Sequence, residues 1–226
     1  MNLRDSRVGM AGTAWAARCA GRAPLRALLL TAALSGAAGA AHADALDALK
    51  AFVRDAKTGQ ANFTQTVTSP DGAKKKTSNG AFEFARPNRF RFAYTRPFEQ
   101  VIVADGQKIW IDDADLNQVS SRKLAQALGA TPAALLAGGS LEQDFELRAA
   151  TDRNGLSWVE AIPRARDGPL QVVRIGFRAS ELAAIEIVDS FGQTSVLQFS
   201  QLETNVPLAP DRFHFAIPAG ADVIEQ

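Results

Sequence analysis

The chain has 226 residues, of which 46% are hydrophobic, with 25 Lys and Arg against 24 Asp and Glu, a formal net charge of +1. That balance offers no basic surface for nucleic acid, and 13 phenylalanines against one tyrosine favour burial or greasy contact over polar recognition. One cysteine and two histidines exclude a disulfide and a His/Cys metal site.

The amino-terminal end reads as an export signal. Arg4, Arg7, Arg18, Arg22 and Arg26 form a basic region, and Ala27 to Ala41 is apolar around Leu28-Leu29-Leu30. Ala41-His42-Ala43 then gives a small-x-small cleavage site. Residues 1–43 are therefore expected to be a signal peptide and residues 44–226 a single mature domain beginning at Asp44, with Met10 as an alternative start. The apolar run is too short and too rich in alanine for a membrane span. No Arg-Arg pair precedes it, which removes support for twin-arginine export. Cys19 lies ahead of the run and cannot carry a lipid anchor. Cleavage takes five arginines and Asp5 from 25 basic and 24 acidic residues, so the mature net charge becomes −3. A cysteine-free chain in an oxidising compartment must fold on its core alone.

From Asp44 to Lys57, Leu46, Leu49, Phe52, Val53 and Ala56 recur at three- and four-residue spacing, which predicts an amphipathic helix ended near Gly59. The period then drops to two. Asn62 to Thr68 is a Thr-rich strand, Ser69-Pro70-Asp71-Gly72 a turn, and Lys74-Lys75-Lys76 a solvated shoulder.

An aromatic hairpin follows. Phe82, Phe84 and Arg86 share one phase, and Phe90, Phe92 and Tyr94 share one after the turn Arg86-Pro87-Asn88-Arg89. Alternate residues of a strand face one side, so these six make an aromatic wall. The other side carries Ala81, Glu83, Ala85, Arg89 and Arg91, which suits water or a thin cover. Arg86 stands in phase with the phenylalanines although a guanidinium stays charged at any working pH. It either reaches solvent at the strand's end or meets a special partner.

Gln100 to Ala104 and Lys108 to Asp112 make a second hairpin around Asp105-Gly106. Ser121 to Leu128 and Thr131 to Ala137 break the β pattern and predict two short helices. Thr131-Pro132 supplies an N-cap and a first-turn proline, and Leu124, Leu128, Leu135 and Leu136 give an apolar stripe. Strands return at Phe145 to Ala149, Ser157 to Pro163, Val172 to Phe177, Leu182 to Asp189 and Thr194 to Leu202. Phe213 to Ile217 alternates as a last strand. About ten short antiparallel strands without βαβ spacing predict a mainly β fold, one highly curved sheet that makes a barrel or half-barrel, with helices over its mouth.

Catalytic equipment is missing. His214 is the one histidine of the mature chain, and its place between Phe213 and Phe215 turns it outward. There is no G-x-S-x-G elbow, phosphate-binding glycine loop or G-x-G-x-x-G. Asp113-Ala114-Asp115-Leu116-Asn117 begins like a calcium loop, but Gln118 and Leu124 replace the turn glycine and the bidentate glutamate. Asp112 and Asp113 have no placed partner for acid–base work. The chain reads as neither an enzyme nor a cofactor binder. What remains is apolar capacity: an aromatic concave face binds an acyl chain at roughly 0.8 kcal/mol per buried methylene, or else forms an ordinary core.

Five motifs in order resemble the LolA family, the periplasmic carriers of outer-membrane lipoproteins. They are Phe63-Thr64-Gln65, Arg86-Pro87-Asn88-Arg89-Phe90, Asp105-Gly106-Gln107-Lys108-Ile109-Trp110, Thr131-Pro132, and Phe213-His214-Phe215 with Pro218 and Gly220. The resemblance spans nearly all of the mature chain. It implies an unclosed antiparallel β-barrel with short helices as a lid over an apolar cavity. It implies a monomeric periplasmic chaperone that takes acylated lipoproteins from an inner-membrane ABC transporter and delivers them to an outer-membrane lipoprotein receptor. On this chain the arginine that bonds the lid backbone and holds the cavity shut would be Arg86. The phenylalanine implicated in transfer would be Phe90, and Phe92 the next aromatic of the wall. The lid helices correspond to Ser121–Leu128 and Thr131–Ala137, and Gly138-Gly139 departs from the family pattern. A periplasmic lipid-binding or sensor domain of the same fold is the alternative.

Overall fold

The computed structural model describes residues 40–124, 136, 141–165 and 167–225. Helix α1 (Ala40–Asp55) comes first, four residues ahead of its expected start. Its buried residues Ala45, Ala48, Leu49 and Phe52 recur every three or four positions, so one stripe meets the sheet.

Six strands follow as a meander: β1 (Thr58–Thr68), β2 (Lys75–Ala85), β3 (Arg89–Arg96), β4 (Gln100–Asp105), β5 (Lys108–Asp113) and β6 (Gln118–Lys123). A short helix α2 (Leu141–Asp144) leads to a second meander. It consists of β7 (Phe145–Arg153), β8 (Leu156–Pro163), β9 (Leu170–Arg178), β10 (Glu181–Asp189) and β11 (Thr194–Thr204). A 3-10 turn (Pro210–Phe213) and β12 (Asp222–Glu225) end the described chain. The strands form one sheet in the order β12-β6-β5-β4-β3-β2-β1-β11-β10-β9-β8-β7. The ends β12 and β7 do not pair with each other, so the curved sheet is an unclosed barrel, as the resemblance implies.

Three expectations are corrected. Ser121 to Lys123 is the end of β6, opposite Lys108 to Trp110 of β5, and not the start of a helix. Phe213 to Ile217 is not a strand: Phe213 closes the 3-10 turn, and the residues after it form no ladder. The sheet is also not wholly antiparallel, because β12 pairs with β6 in parallel, Asp222 opposite Gln118 through Glu225 opposite Ser121. The chain returns to that edge along the outer face, where Arg212 is bonded to Glu83 of β2.

The core lies on the inner face, beneath α1. Phe52 of α1 packs on Phe84 and Phe177, with ring centroids 5.9 and 6.4 Å apart. Two glycines make the inner packing possible. Gly59 stands opposite Phe84 and Gly80 opposite Phe63 in the β1–β2 register. A Cβ on Gly59 would come within 2.4 Å of the Phe84 ring. A Cβ on Gly80 would lie 2.2 Å from the Ala93 carbonyl oxygen and 2.8 Å from Phe63. On the outer face, Glu160, Arg174 and Glu186 stand in direct opposition on β8, β9 and β10. Arg174 bonds both glutamates, at 2.7 and 2.6 Å, and Arg153 bonds Glu186 at 2.8 Å.

Candidate functional site

The aromatic hairpin forms as the alternation predicts. Phe82 opposes Phe92 and Phe84 opposes Phe90, so all four rings lie on the inner face. Phe82 and Phe92 are 4.5 Å apart between centroids, and Phe82 stacks on Phe84 at 5.7 Å. Their exposures run from 0% to 5%, so the wall is closed over and not open to solvent. Phe63 of β1 and Phe199 of β11 extend it, edge-on to Phe92 at 5.3 Å and tilted against Phe82 at 5.7 Å. Sequence reading left both out of the site, because the pairing of β1 with β11 that brings Phe199 to the wall joins strands far apart in the chain.

Tyr94 ends the wall. It is half-buried, meets Phe63 edge-on at 5.0 Å, and donates its hydroxyl hydrogen to Gln65 Oε1 at 2.9 Å. Burial pushes its pKa up to about 12, because the phenolate loses more hydration than the phenol.

Arg86 lies at the opposite end, where the Arg86–Pro87 peptide is cis and Asn88 takes a φ of 62°, a left-handed conformation that asparagine tolerates. Its side chain does not run free into water. Nε donates to the Ala56 carbonyl at 2.8 Å, and the backbone N–H of Arg86 donates to the Lys57 carbonyl at 2.8 Å. The guanidinium carbon stands 5.5 Å from the Phe84 ring centre and 5.7 Å from that of Phe52. A cation over aromatic faces at the carbonyl end of a helix gains from both fields. Burial nevertheless lowers the pKa of Arg86 to about 10. The acceptor belongs to the chain leaving α1, an element that the sequence reading did not connect with this arginine. A backbone carbonyl leaves no mark in a sequence.

Of the leucines assigned to the lid, Leu124 is buried in the same apolar cluster as the hairpin phenylalanines, together with Leu136. Leu128, Leu135 and most of both lid helices fall outside the described residues. Beside the end of α1, a pocket of about 320 Å³ is lined by Phe52, Ala56, Leu182 and Leu202, with Asp55 and Asn205 among its polar groups.

The outer side of the hairpin carries a thin cover, one of the two environments expected for it. Glu83 is 8% exposed and receives Arg212, whose Nη2 and Nε approach Oε1 at 2.6 and 3.1 Å. Phe213 is buried under the Arg89 guanidinium, 5.7 Å from its ring centre, while His214 faces outward. Trp110 stacks on Phe215 at 5.5 Å. Burial thus alternates from Phe213 to Ala216 as predicted, but Ile217 is exposed and the backbone is not a strand.

Residues 54–216 match the family described as the outer membrane lipoprotein carrier protein LolA. The chain is 66% identical over 195 residues to the outer-membrane lipoprotein carrier protein of Methylibium petroleiphilum, covering 86% of this chain and 96% of that protein. It belongs to the LolA family. A second carrier, from Leptothrix cholodnii, is 58% identical, with coverages of 89% and 94%. Among solved structures, a LolA superfamily protein from Nitrosomonas europaea is 15% identical with a TM-score of 0.48, covering 75% of this chain and 96% of its own. In this LolA family member the R-P-N turn and the D-G-x-x-x-W hairpin fall within the matched residues. In the latter, Asp105 accepts from the backbone N–H groups of Gln107 and Lys108 and from Trp110 Nε1, at 2.7, 2.8 and 3.0 Å. These bonds fix the β4–β5 turn. No helix among the described residues is long and apolar enough to cross a membrane. Among them no cluster of His, Cys, Asp and Glu is arranged to hold a metal ion.

Proposed function

We propose that this protein is a periplasmic carrier of lipoproteins bound for the outer membrane, and that it works without chemical catalysis. The supporting observation is the family match over residues 54–216, which contains an aromatic hairpin with Arg86 in phase with its phenylalanines. Residues 1–43 would be removed on export, leaving residues 44–226 as the working monomer.

Acyl chains are insoluble in water, and shielding each methylene is worth roughly 0.8 kcal/mol. Phe82, Phe84, Phe90, Phe92 and Tyr94 supply the shielding wall, and Leu124, Leu128 and Leu135 supply the cover. A carrier must also release its cargo. Arg86 is the latch: a few hydrogen bonds from one guanidinium hold the closed form, and each is worth about 1 kcal/mol net. Opening therefore lies within reach of a partner's binding energy. The donor of cargo would be an inner-membrane ABC transporter and the acceptor an outer-membrane lipoprotein receptor.

The test is release of a labelled triacylated lipoprotein from inner-membrane vesicles supplied with ATP, with and without purified residues 44–226. A soluble complex of one carrier with one lipoprotein is expected. A folded protein that leaves the lipoprotein on the vesicles would sink the carrier reading and favour a sensor domain of the same fold.

A further inference from the structure

Directly opposed residues of antiparallel strands share a face, so the register places the inner side chains of β2 to β5 on successive levels. The level nearest Arg86 is apolar, and the next reads Phe82, Phe92, Ile102 and Ile111. The third changes character. Tyr94 opposes Gln100, and Gln100 opposes Asp113. Gln118, on the polar inner face of β6, opposes Asp113 and extends the row. Gln65 of β1 joins it through the Tyr94 hydroxyl. All five side chains are half-buried. On β3 to β5 the inner face is therefore divided along the strands, apolar toward Arg86 and hydrogen-bonding from Tyr94 onward. The Tyr94 level carries Gly80 and Phe63 on β2 and β1, whereas β6 is polar at every level with Gln118, Ser120 and Arg122. Four residues separate Phe90 from Tyr94, about 13 Å of strand.

We propose that this row seats the polar head of an acylated amino terminus: the ester and amide groups that join acyl chains to a glyceryl-cysteine. The inference rests on the carrier reading and gives its cargo a direction. The amide N–H groups of Gln65, Gln100 and Gln118 donate to ester carbonyls, and the Asp113 carboxylate accepts from the N–H of the acylated cysteine. The acyl chains lie over the phenylalanine levels toward Arg86. The polypeptide leaves past Gln118, at the end of the sheet that carries the β3–β4 and β5–β6 turns.

The chemistry is testable with two ligands, a tripalmitoyl-cysteinyl peptide and N-phenyl-1-naphthylamine, an apolar probe with no ester. For the double variant Gln100→Leu and Gln118→Leu, lipopeptide affinity is expected to fall roughly tenfold, two lost hydrogen bonds, while the naphthylamine still binds as before. An unchanged lipopeptide affinity overturns the proposal and marks the row as a solvated rim. An equal loss for both ligands overturns it too, as general loosening of the wall. If the unaltered protein binds neither ligand, the carrier reading fails with it. A dipalmitoyl phosphatidylglycerol that loses affinity equally would assign the row to any glyceryl ester, and one that does not would confine it to the acylated cysteine. A second readout does not depend on those variants. A benzophenone side chain placed at Gln118 should cross-link the peptide of the ligand, and one placed at Phe90 its acyl chains. The reverse pattern overturns the orientation.

Discussion

Arg86 Nε and the carbonyl oxygen of Ala56 meet at 2.8 Å, which ties the turn of the aromatic hairpin to the end of α1. The bond satisfies one of the carbonyls that a helix end leaves over, and it does so with a cation that burial disfavours. Those effects oppose each other. Arg86→Leu should therefore keep the fold, with unfolding free energy within about 1 kcal/mol of the parent by urea titration. Hand-over of cargo to an acceptor should fail at the same time. Normal hand-over by the variant would remove Arg86 from the latch role.

Tyr94 is the only tyrosine of the chain, so absorbance at the tyrosinate band reports on it alone. The midpoint should lie at about 12 in the folded protein. A raised folded pKa means that the fold binds this proton more tightly than the unfolded chain does. Its contribution is complete below the ordinary tyrosine value of about 10 and is lost as pH climbs through the folded value. Stability should accordingly fall across that alkaline window, and Tyr94→Phe should flatten the fall. A midpoint near 10 would show that the hydroxyl is solvated.

Gly80→Ala should be among the most damaging small substitutions in the protein. The new Cβ meets the Ala93 carbonyl of the neighbouring strand at 2.2 Å, and a backbone in a ladder cannot step aside as a side chain can. A loss of about 2 to 3 kcal/mol is expected. Gly168→Ala is the control, because its Cβ would meet nothing nearer than 3.7 Å, and it should shift stability by under about 0.5 kcal/mol. Equal effects in thermal unfolding would refute the close approach.

The carboxylate of Glu83 is nearly buried, and Arg212 is half exposed. Removing the cation strands the anion, so Arg212→Ala should cost about 1 to 3 kcal/mol, the lower end reflecting screening at Arg212. The double change Glu83→Gln with Arg212→Met should recover most of that loss, and a double-mutant cycle measures the coupling. Hydrogen exchange at Val223 and Ile224 should rise in Arg212→Ala if the pair pins the returning segment. Unchanged exchange there would confine the pair's role to β2.

Much of this fold was legible because most strands have one buried face. Alternation located β1 to β5 and β7 to β11, and the hairpin turns fixed which neighbours pair. The strand that escaped, β6, reads Gln-Val-Ser-Ser-Arg-Lys: Val119 is its one buried apolar residue, and the inner face that should reveal a strand is polar. β12 escaped for a different reason. Its four residues are all exposed, and it is a strand only through backbone pairing with β6. Phe213, His214 and Phe215 do alternate between covered and exposed on the outer face, but a segment pinned by Arg212 onto Glu83 produces the same pattern as a strand. At the site, the aromatic wall followed from spacing, whereas the partner of Arg86 is a main-chain atom thirty residues upstream.

Among the described residues the strand ladders of the two meanders are joined where β1 pairs with β11, with Asn62 opposite Ser200. No amino-terminal portion of the chain can complete its own sheet, because the central seam waits for residues near 200 to arrive. Sheets built on such distant pairings close slowly, since a long loop must be ordered before any contact repays it. For a polypeptide that the proposed export signal would thread across a membrane as an extended strand, that delay is useful. A chain exported in that way would not close its barrel before residues near 200 had crossed.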